Sequence, residues 1–372
     1  MAYRYDRSFF NLMIKSERGN KLTDLKGMLP SEVTDLVKKM GEVDYRADQI
    51  LDWVYKKGAV KVAEMTNLPK TFRDSLSKIA EISQLRQVKI SNSQIDESVK
   101  FVFEVDNGRR IESVLISDGS RRTVCLSSQI GCPLDCKFCA TGRMGLLGNL
   151  SPGEIIDQLL QVIRYATGQG DRVTNVVLMG MGEPLLNYDA VYRAVTLICS
   201  EDGLGLGGRK VTLSTAGYVP GIIKLAKSNL NIGLAISLNG TTNEIRDSIM
   251  PINRRFKIED LISAAKLFHT IRGYGVTFEY VLIDKITDGV ENAKRLRDLL
   301  VGIPCKINLI PYNEFDPKRE FRRPSKVRLA DFYKTLKMYG LGFTIRESRG
   351  RDIDAACGQL IQKNSFAEDS NE

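Results

Sequence analysis

The chain has 372 residues, of which 43% are apolar, 27% charged and 8% aromatic. That is enough to bury a large core in two or three domains, and it excludes collagen-like, disordered and disulfide-scaffold proteins. No apolar run approaches the roughly 18 to 20 residues that span a bilayer, and charges interrupt the opening MAYRYDRSFFNLMIKSERGN, so a soluble, cytoplasmic protein is expected. Lysine plus arginine outnumber aspartate plus glutamate by 54 to 45, a net charge of +9, which favours a polyanionic partner.

Residues 30 to 80 read as a small helical unit. In YRADQILDWVYKKG, Ala47, Ile50, Leu51 and Val54 fall at i, i+3, i+4 and i+7, with Gly58 as a stop; Leu68, Phe72, Leu76 and Ile79 continue the helical spacing in LPKTFRDSLSKIA. Residues 84 to 117 switch to period two. Val99, Phe101, Phe103 and Val105 alternate with Lys100 and Glu104 before an Asp106-Asn107-Gly108 turn, and IESVLIS returns as the second strand of a hairpin. From residue 122 strands and helices alternate. RTVCLSS, RVTNVVLMG, RKVTLST, NIGLAISL, GVTFEYVLI and CKINLIPY are the strands, and the first helix opens on a capping box with proline, Ser151-Pro152-Gly153-Glu154.

Six consecutive βα units imply an α/β fold with a parallel sheet, too few for an eight-unit barrel. GFTIRES adds a last strand, and KNSFAEDSNE reads as a disordered tail. The expected division is a helical accessory domain at 1–83, a β-hairpin linker at 84–121, an α/β core at 122–361 and a tail at 362–372.

The strongest chemical signal is Cys132-Pro-Leu-Asp-Cys136-Lys-Phe-Cys139 in the loop after the first core strand. Three cysteines crowded into eight residues argue for metal chemistry in a reducing compartment over a disulfide staple. Three thiolates in one loop can hold three corners of a [4Fe–4S] cluster and leave its fourth iron open for a ligand. Structural zinc is the competing interpretation, but it takes four ligands and no fourth lies nearby. The single histidine, His269, reads as half-buried on an amphipathic helix, which disfavours mechanisms needing a histidine base.

CLSSQIGCPLDCKFCATG, LMGMGEPLLN, LAISLNG, NLIPYNEF and DIDAACGQL, together with YRADQILDWVYKKG and MTNLPK, run in one order from about residue 22 to residue 361. With these motifs the chain resembles the RlmN/Cfr family of radical S-adenosylmethionine (SAM) RNA adenine methyltransferases. The resemblance implies a partial (βα)6 radical SAM barrel and an RNA-binding role for the helical unit. It implies one [4Fe–4S] cluster on Cys132, Cys136 and Cys139, whose open iron is chelated by SAM. Gly182 and Glu183 of the Gly-Glu-Pro stretch are then expected at the SAM amino group, and Ser214, Ser237, Leu238, Asn239 and Asn313 at its other parts. Asn239 stands where the family often has histidine, a substituted polar contact.

The resemblance also implies two SAM per turnover. One methylates Cys357; the second yields a radical that activates this methyl for addition to adenine. Glu112 takes up the ring proton, and Cys125 attacks the Cys357 sulfur to release the RNA, leaving a disulfide for a donor such as flavodoxin or ferredoxin to reduce. Without the family, Cys125 and Cys357 read as inert buried thiols and Glu112 as a solvated strand charge. Cys199 and Cys305 match no motif and read as packing residues.

The implied target is carbon 2 of adenine in 23S rRNA and an adenine in the tRNA anticodon loop, with a monomeric enzyme and no membrane. Residues 317 to 328 place six basic side chains around Phe321, a pattern suited to phosphates and one stacked base; Lys56, Lys57, Lys61 and Lys70 form a second basic set. Three alternatives stand beside this: methylation of carbon 8, a non-catalytic RNA-binding protein with a structural metal, and a radical enzyme acting on a protein or small molecule.

Overall fold

Among the described residues ten strands join into one sheet, and their order in space is their order in the chain. They are β1 (Arg86–Asn92), β2 (Val99–Glu104), β3 (Arg110–Asp118), β4 (Arg121–Cys125), β5 (Asn175–Leu178), β6 (Val211–Thr215), β7 (Gly233–Ser237), β8 (Val276–Leu282), β9 (Cys305–Pro311) and β10 (Thr344–Ile345). The computed structural model describes residues 22–105, 108–315 and 321–360; the expected tail and most of the Asp106-Asn107-Gly108 turn lie outside the described residues. β1 to β4 pair antiparallel, and β4 to β10 pair parallel. All six strands expected of the core are present as β4 to β9, whereas GFTIRES yields only the two residues of β10.

This order decides where the helices lie. Parallel neighbours need crossovers, crossovers are right-handed, and a sheet that always advances in one direction receives every crossover helix on the same face. The burial pattern of β8 agrees: Val276, Phe278, Tyr280 and Leu282 are fully buried against the helices, while Thr277, Glu279 and Val281 point to the other side. That second face carries Lys100 on β2, Glu112 on β3, Cys125 on β4, Ser214 on β6 and Ser237 on β7. The hairpin read as a linker is β2 and β3, and β3 pairs with β4 through Val114 and Cys125. Residues 86–118 therefore extend the core sheet itself.

The capping box at Ser151 forms as its residues require. Ser151 Oγ accepts from the Glu154 amide at 3.2 Å, and the Glu154 carboxylate accepts from the Ser151 amide at 2.7 Å. The helix that follows, Pro152–Gly168, buries Ile155, Ile156, Leu159 and Leu160, and its Gln158 accepts from Ser113 Oγ on β3 at 2.7 Å.

The N-terminal unit has helices Pro30–Lys39, Tyr45–Leu51 and Lys70–Leu76. Leu68, Phe72 and Leu76 are buried as expected, but Ile79 is 43% exposed, because the helix has ended and the chain is turning into the strand Ala80–Glu81. The unit docks on Pro152–Gly168 through a buried ion pair, Lys26 Nζ to Asp157 Oδ1 at 2.6 Å. Gly153 permits this approach, since a Cβ there would sit 2.0 Å from Asp24 Oδ2. Among the described residues no helix is long and apolar enough to cross a membrane.

Candidate active site

The cysteine loop is closed at its base by two short strands, Gln129–Gly131 and Leu146–Asn149. The Cys132 amide donates to Gly145 O at 2.8 Å. Gly131 makes that closure possible, with φ 72° and only 1.9 Å between a hypothetical Cβ and Gly145 O. On its far side the loop is tied to the end of the helix Asn243–Ile249, where the Lys137 amide donates to Ile249 O at 2.9 Å. Leu134, Cys136 and Phe138 pack there against Ile249, Met250 and Tyr312.

Burial raises the thiol pKa of Cys132, Cys136 and Cys139, and the charge of Cys139 adds to the rise at Cys132 and Cys136. Cys132 is pushed up to about 12, and the buried guanidinium of Arg246 opposes the rise at Cys136. Half-buried thiols with raised pKa hold their protons at neutral pH until a cation replaces them, as metal-ligating cysteines do. Three cysteines carried by one loop are the ligand type that iron–sulfur clusters take, and the donor set fits such a cluster.

Beside this loop, residues 180–183 are zipped to residues 126–129. The Ser128 amide donates to Met181 O at 2.8 Å, the Met181 amide to Ser127 Oγ at 2.9 Å and the Glu183 amide to Gln129 Oε1 at 2.8 Å. Gly182 holds φ 100°, and a Cβ there would lie 2.5 Å from Gln129 Cβ, so glycine is required. Glu183 is buried, accepting from the Leu185 amide at 3.2 Å and the Ala216 amide at 2.7 Å. Burial outweighs these bonds and pushes its carboxyl up to about 7, poised to pair with an arriving ammonium group.

Ser214 and Ser237 are half-buried on the face opposite the helices. Asn313, just past β9, donates through Nδ2 to Cys357 O at 3.1 Å, and its buried Oδ1 has no partner. The two residues after Ser237 are occupied by the fold. Leu238 is fully buried in the core, its amide donating to Glu279 O at 3.0 Å and its carbonyl accepting from Arg246 Nε at 2.9 Å. Asn239 has φ 55°, and its Oδ1 accepts from the Val281 amide at 2.9 Å.

Cys357 rides on a loop fastened at both ends. At one end Asp352 accepts from Ser93 Oγ and the Gln94 amide, each at 2.7 Å, and Asp96 accepts from the Gly350 amide at 2.8 Å. At the other the Ala140 amide donates to Gly358 O at 2.7 Å and Thr141 Oγ1 to Leu360 O at 2.6 Å. The loop is thereby bonded to the two residues that follow Cys139. The Cys357 thiol is reached by solvent yet ringed by protein, and this enclosure raises its pKa. Burial, with the neighbouring Cys357, pushes Cys125 up to about 12. Both therefore rest as thiols at neutral pH, which slows their closure to a disulfide. Glu112 is buried as well, within 3.3 Å of Lys100 Nζ, and Lys100 also donates to Asp354 O at 3.3 Å on the Cys357 loop.

The sequence offered no signal for Lys100 or Arg246, nor for Arg346, whose charge opposes the rise in thiol pKa at Cys125 and Cys357. Glu279 had one: it is a charge at an alternate position of an otherwise apolar strand. In the basic stretch three side chains meet partners within the fold. Arg323 pairs with Glu347 at 2.9 Å, Arg328 grips Asp288 at 2.5 Å, and Phe321 meets Tyr312 edge-on at 6.2 Å. Acidic and aromatic partners lie beside these three, Lys326 is exposed, and residues 316–320 lie outside the described residues. In the N-terminal unit Lys57 covers the Trp53 ring at 4.3 Å, and Lys61 and Lys70 are exposed. Cys199 and Cys305 pack against the core as expected.

Sheet order, cysteine loop and buried carboxylate are together those of a radical SAM protein, and the Radical SAM superfamily is matched over residues 126–296. The family described as ribosomal RNA large subunit methyltransferase N-terminal domain is matched over residues 23–82. The dual-specificity RNA methyltransferase RlmN of Anaeromyxobacter sp. is 42% identical over 342 residues, covering 91% of this chain and 90% of that protein. The probable dual-specificity RNA methyltransferase RlmN of Dictyoglomus thermophilum is 43% identical over 329 residues, covering 88% and 94%. The crystal structure of a radical SAM methyltransferase from Sphaerobacter thermophilus aligns with a TM-score of 0.87 and 42% identity, over 91% of this chain and 99% of that one. The chain belongs to the RlmN family of radical SAM RNA methyltransferases. Membership implies a [4Fe–4S] cluster, SAM and an RNA substrate.

Proposed function

We propose that the protein methylates carbon 2 of adenine in 23S rRNA, and an adenine in the tRNA anticodon loop, through a methylated Cys357. The observation that carries this is the placing of the Cys357 loop. It is hydrogen-bonded to the residues after Cys139, and its thiol lies within electrostatic reach of Cys125. The words "dual-specificity" in the relatives' names support two kinds of RNA.

When bound, the cluster and two SAM supply the methyl group and the one-electron chemistry that an unacidic ring carbon requires. Cys357 offers the sulfur that takes the methyl, and its loop holds that carbon between cofactor and base. Glu112, held by Lys100, accepts the ring proton. The adduct's odd electron would pass to the bound cluster, restoring the aromatic ring. Cys125 then attacks the Cys357 sulfur as a thiolate, the bond from sulfur to the RNA-linked carbon breaks toward carbon, which takes up a proton to become the methyl group, and a Cys125–Cys357 disulfide remains. An external donor such as flavodoxin or ferredoxin returns two electrons to it. Glu183 binds the SAM ammonium, and Ser214, Ser237 and Asn313 bind its other polar groups.

The test is anaerobic turnover of reconstituted protein with an rRNA fragment, followed by nuclease digestion and mass spectrometry. 2-Methyladenosine is expected; 8-methyladenosine overturns the assignment of the carbon. Cys357→Ala should abolish methylation, and Glu112→Gln should accumulate a cross-linked protein–RNA adduct. Ordinary turnover by the Gln variant removes Glu112 from the mechanism.

A further inference from the structure

Three buried carboxylates differ in how they are satisfied. Asp157 has both oxygens filled, Oδ1 by Lys26 and Oδ2 by the Leu85 amide and Gln161 Nε2. Glu183 has one backbone amide on each oxygen. Glu279, on β8, does not follow them. Its Oε1 accepts from Asn308 Nδ2 at 2.9 Å, with Arg346 Nη1 3.8 Å away, while its Oε2 is buried with no partner. The residue is only 6% exposed. A buried acceptor left open is rare in a folded protein and asks for a cause.

Its position supplies one. Glu279 is in Cα register with Ser237 on β7 and Asn308 on β9, on the face that carries the site. A second open acceptor, Asn313 Oδ1, lies just beyond β9. Two acceptors without donors are complementary to a ligand that presents hydroxyl groups, and a ribose does so. β8 is four strands from β4, which carries Cys125, and Glu279 lies within electrostatic reach of Cys357, the residue expected to hand its methyl from cofactor to base.

We propose that Glu279 is a SAM-binding residue, its free carboxylate oxygen accepting a hydrogen bond from a ribose hydroxyl of the cofactor. This rests on the SAM-dependent function proposed above. A charged acceptor is the stronger choice for a hydroxyl donor in a buried site, and burial raises the Glu279 carboxyl, so the bond also offsets the cost of keeping it ionised.

The test is equilibrium binding of S-adenosylhomocysteine, and of its 2′,3′-dideoxy analogue, to anaerobically reconstituted protein. Wild type should bind the dideoxy analogue about tenfold more weakly, the scale of one charge-assisted hydrogen bond. Glu279→Gln should bind S-adenosylhomocysteine about tenfold more weakly than wild type does, yet match wild type on the dideoxy analogue. Equal affinity of variant and wild type for S-adenosylhomocysteine overturns the proposal. So does an equal loss on both ligands, which would make Glu279 a packing residue, or a loss seen only in RNA binding, which would move it to the target base. Should the variant not fold, wild type alone decides: a difference under about twofold between the two ligands sinks the assignment. Failure of wild type to bind S-adenosylhomocysteine at all would instead be the failure of the SAM-dependent function.

Discussion

Two buried polar networks divide the labour of this molecule. At the seam between the N-terminal unit and the core, Lys26 reaches Asp157 at 2.6 Å, Tyr55 Oη donates to Lys26 O at 2.6 Å, and Asp24 accepts from Ser83 Oγ at 2.6 Å. Every carboxylate oxygen there has a donor. On the face opposite the helices, Glu279 Oε2 and Asn313 Oδ1 are buried without one. A closed network fixes one geometry and binds nothing further; an open one retains capacity that only a ligand can use. The accessory unit is thus held in place by groups that have nothing left for catalysis.

Breaking the closed network should have the largest effect. Lys26→Met strands the Asp157 carboxylate in the interior, and removing one partner of a buried pair costs about 3–5 kcal/mol. Urea unfolding should show this as a loss of midpoint. The double variant Lys26→Met with Asp157→Leu should recover much of it, because no buried charge remains. A single-variant cost below about 1 kcal/mol would mean that water enters the seam.

At the site itself Glu183, whose oxygens are filled by backbone amides, is tested by pH. Burial raises the Glu183 carboxyl from 4.5 to about 7. Between those values the folded chain keeps a proton that the unfolded chain has lost, so the Glu183 contribution makes stability fall as pH rises from 4.5 to 7. The full effect is on the order of 3 kcal/mol. Glu183→Gln should flatten this slope and gain on wild type most at pH 8. Binding should respond in the opposite sense, since an ammonium prefers the ionised carboxylate: S-adenosylhomocysteine affinity should drop as pH falls below 7. An affinity flat from pH 6 to 8 would separate Glu183 from the ligand's amino group.

How far the sequence reveals the two networks follows from the range of the interactions. Local rules succeeded. The Ser151 capping box, the six core strands and the cysteine loop are set by neighbours within a few residues, and each forms. Ile79 failed because helical periodicity does not announce the end of the helix at Leu76. Lys26 and Asp157 lie 131 positions apart, so no pattern joins them. The ion pairs of Arg323 with Glu347 and of Arg328 with Asp288 were equally invisible, because the partners are distant in sequence. Leu238 and Asn239 share a motif with Ser237 but follow the end of β7; Leu238 packs in the core and Asn239 Oδ1 accepts from the Val281 amide, a contact 42 positions along the chain that no local pattern announces.

The smallest effect concerns the anchoring of Cys357. Asp352 clasps Ser93 and Gln94 at the outer end of the loop, and Asp96 answers with Gly350, whereas the inner end is tied to Ala140 and Thr141 after the cysteine motif. The clasp is at the surface, so its loss should leave the global unfolding midpoint unchanged and loosen only the loop. Asp352→Ala should raise the rate of Cys357 alkylation by iodoacetamide about fivefold, with Asp352→Asn intermediate because one acceptor oxygen survives. If the rate does not move, the bonds to the cysteine loop hold Cys357 alone. The antiparallel extension would then support Glu112 and Lys100 but contribute nothing to where the reacting sulfur stands.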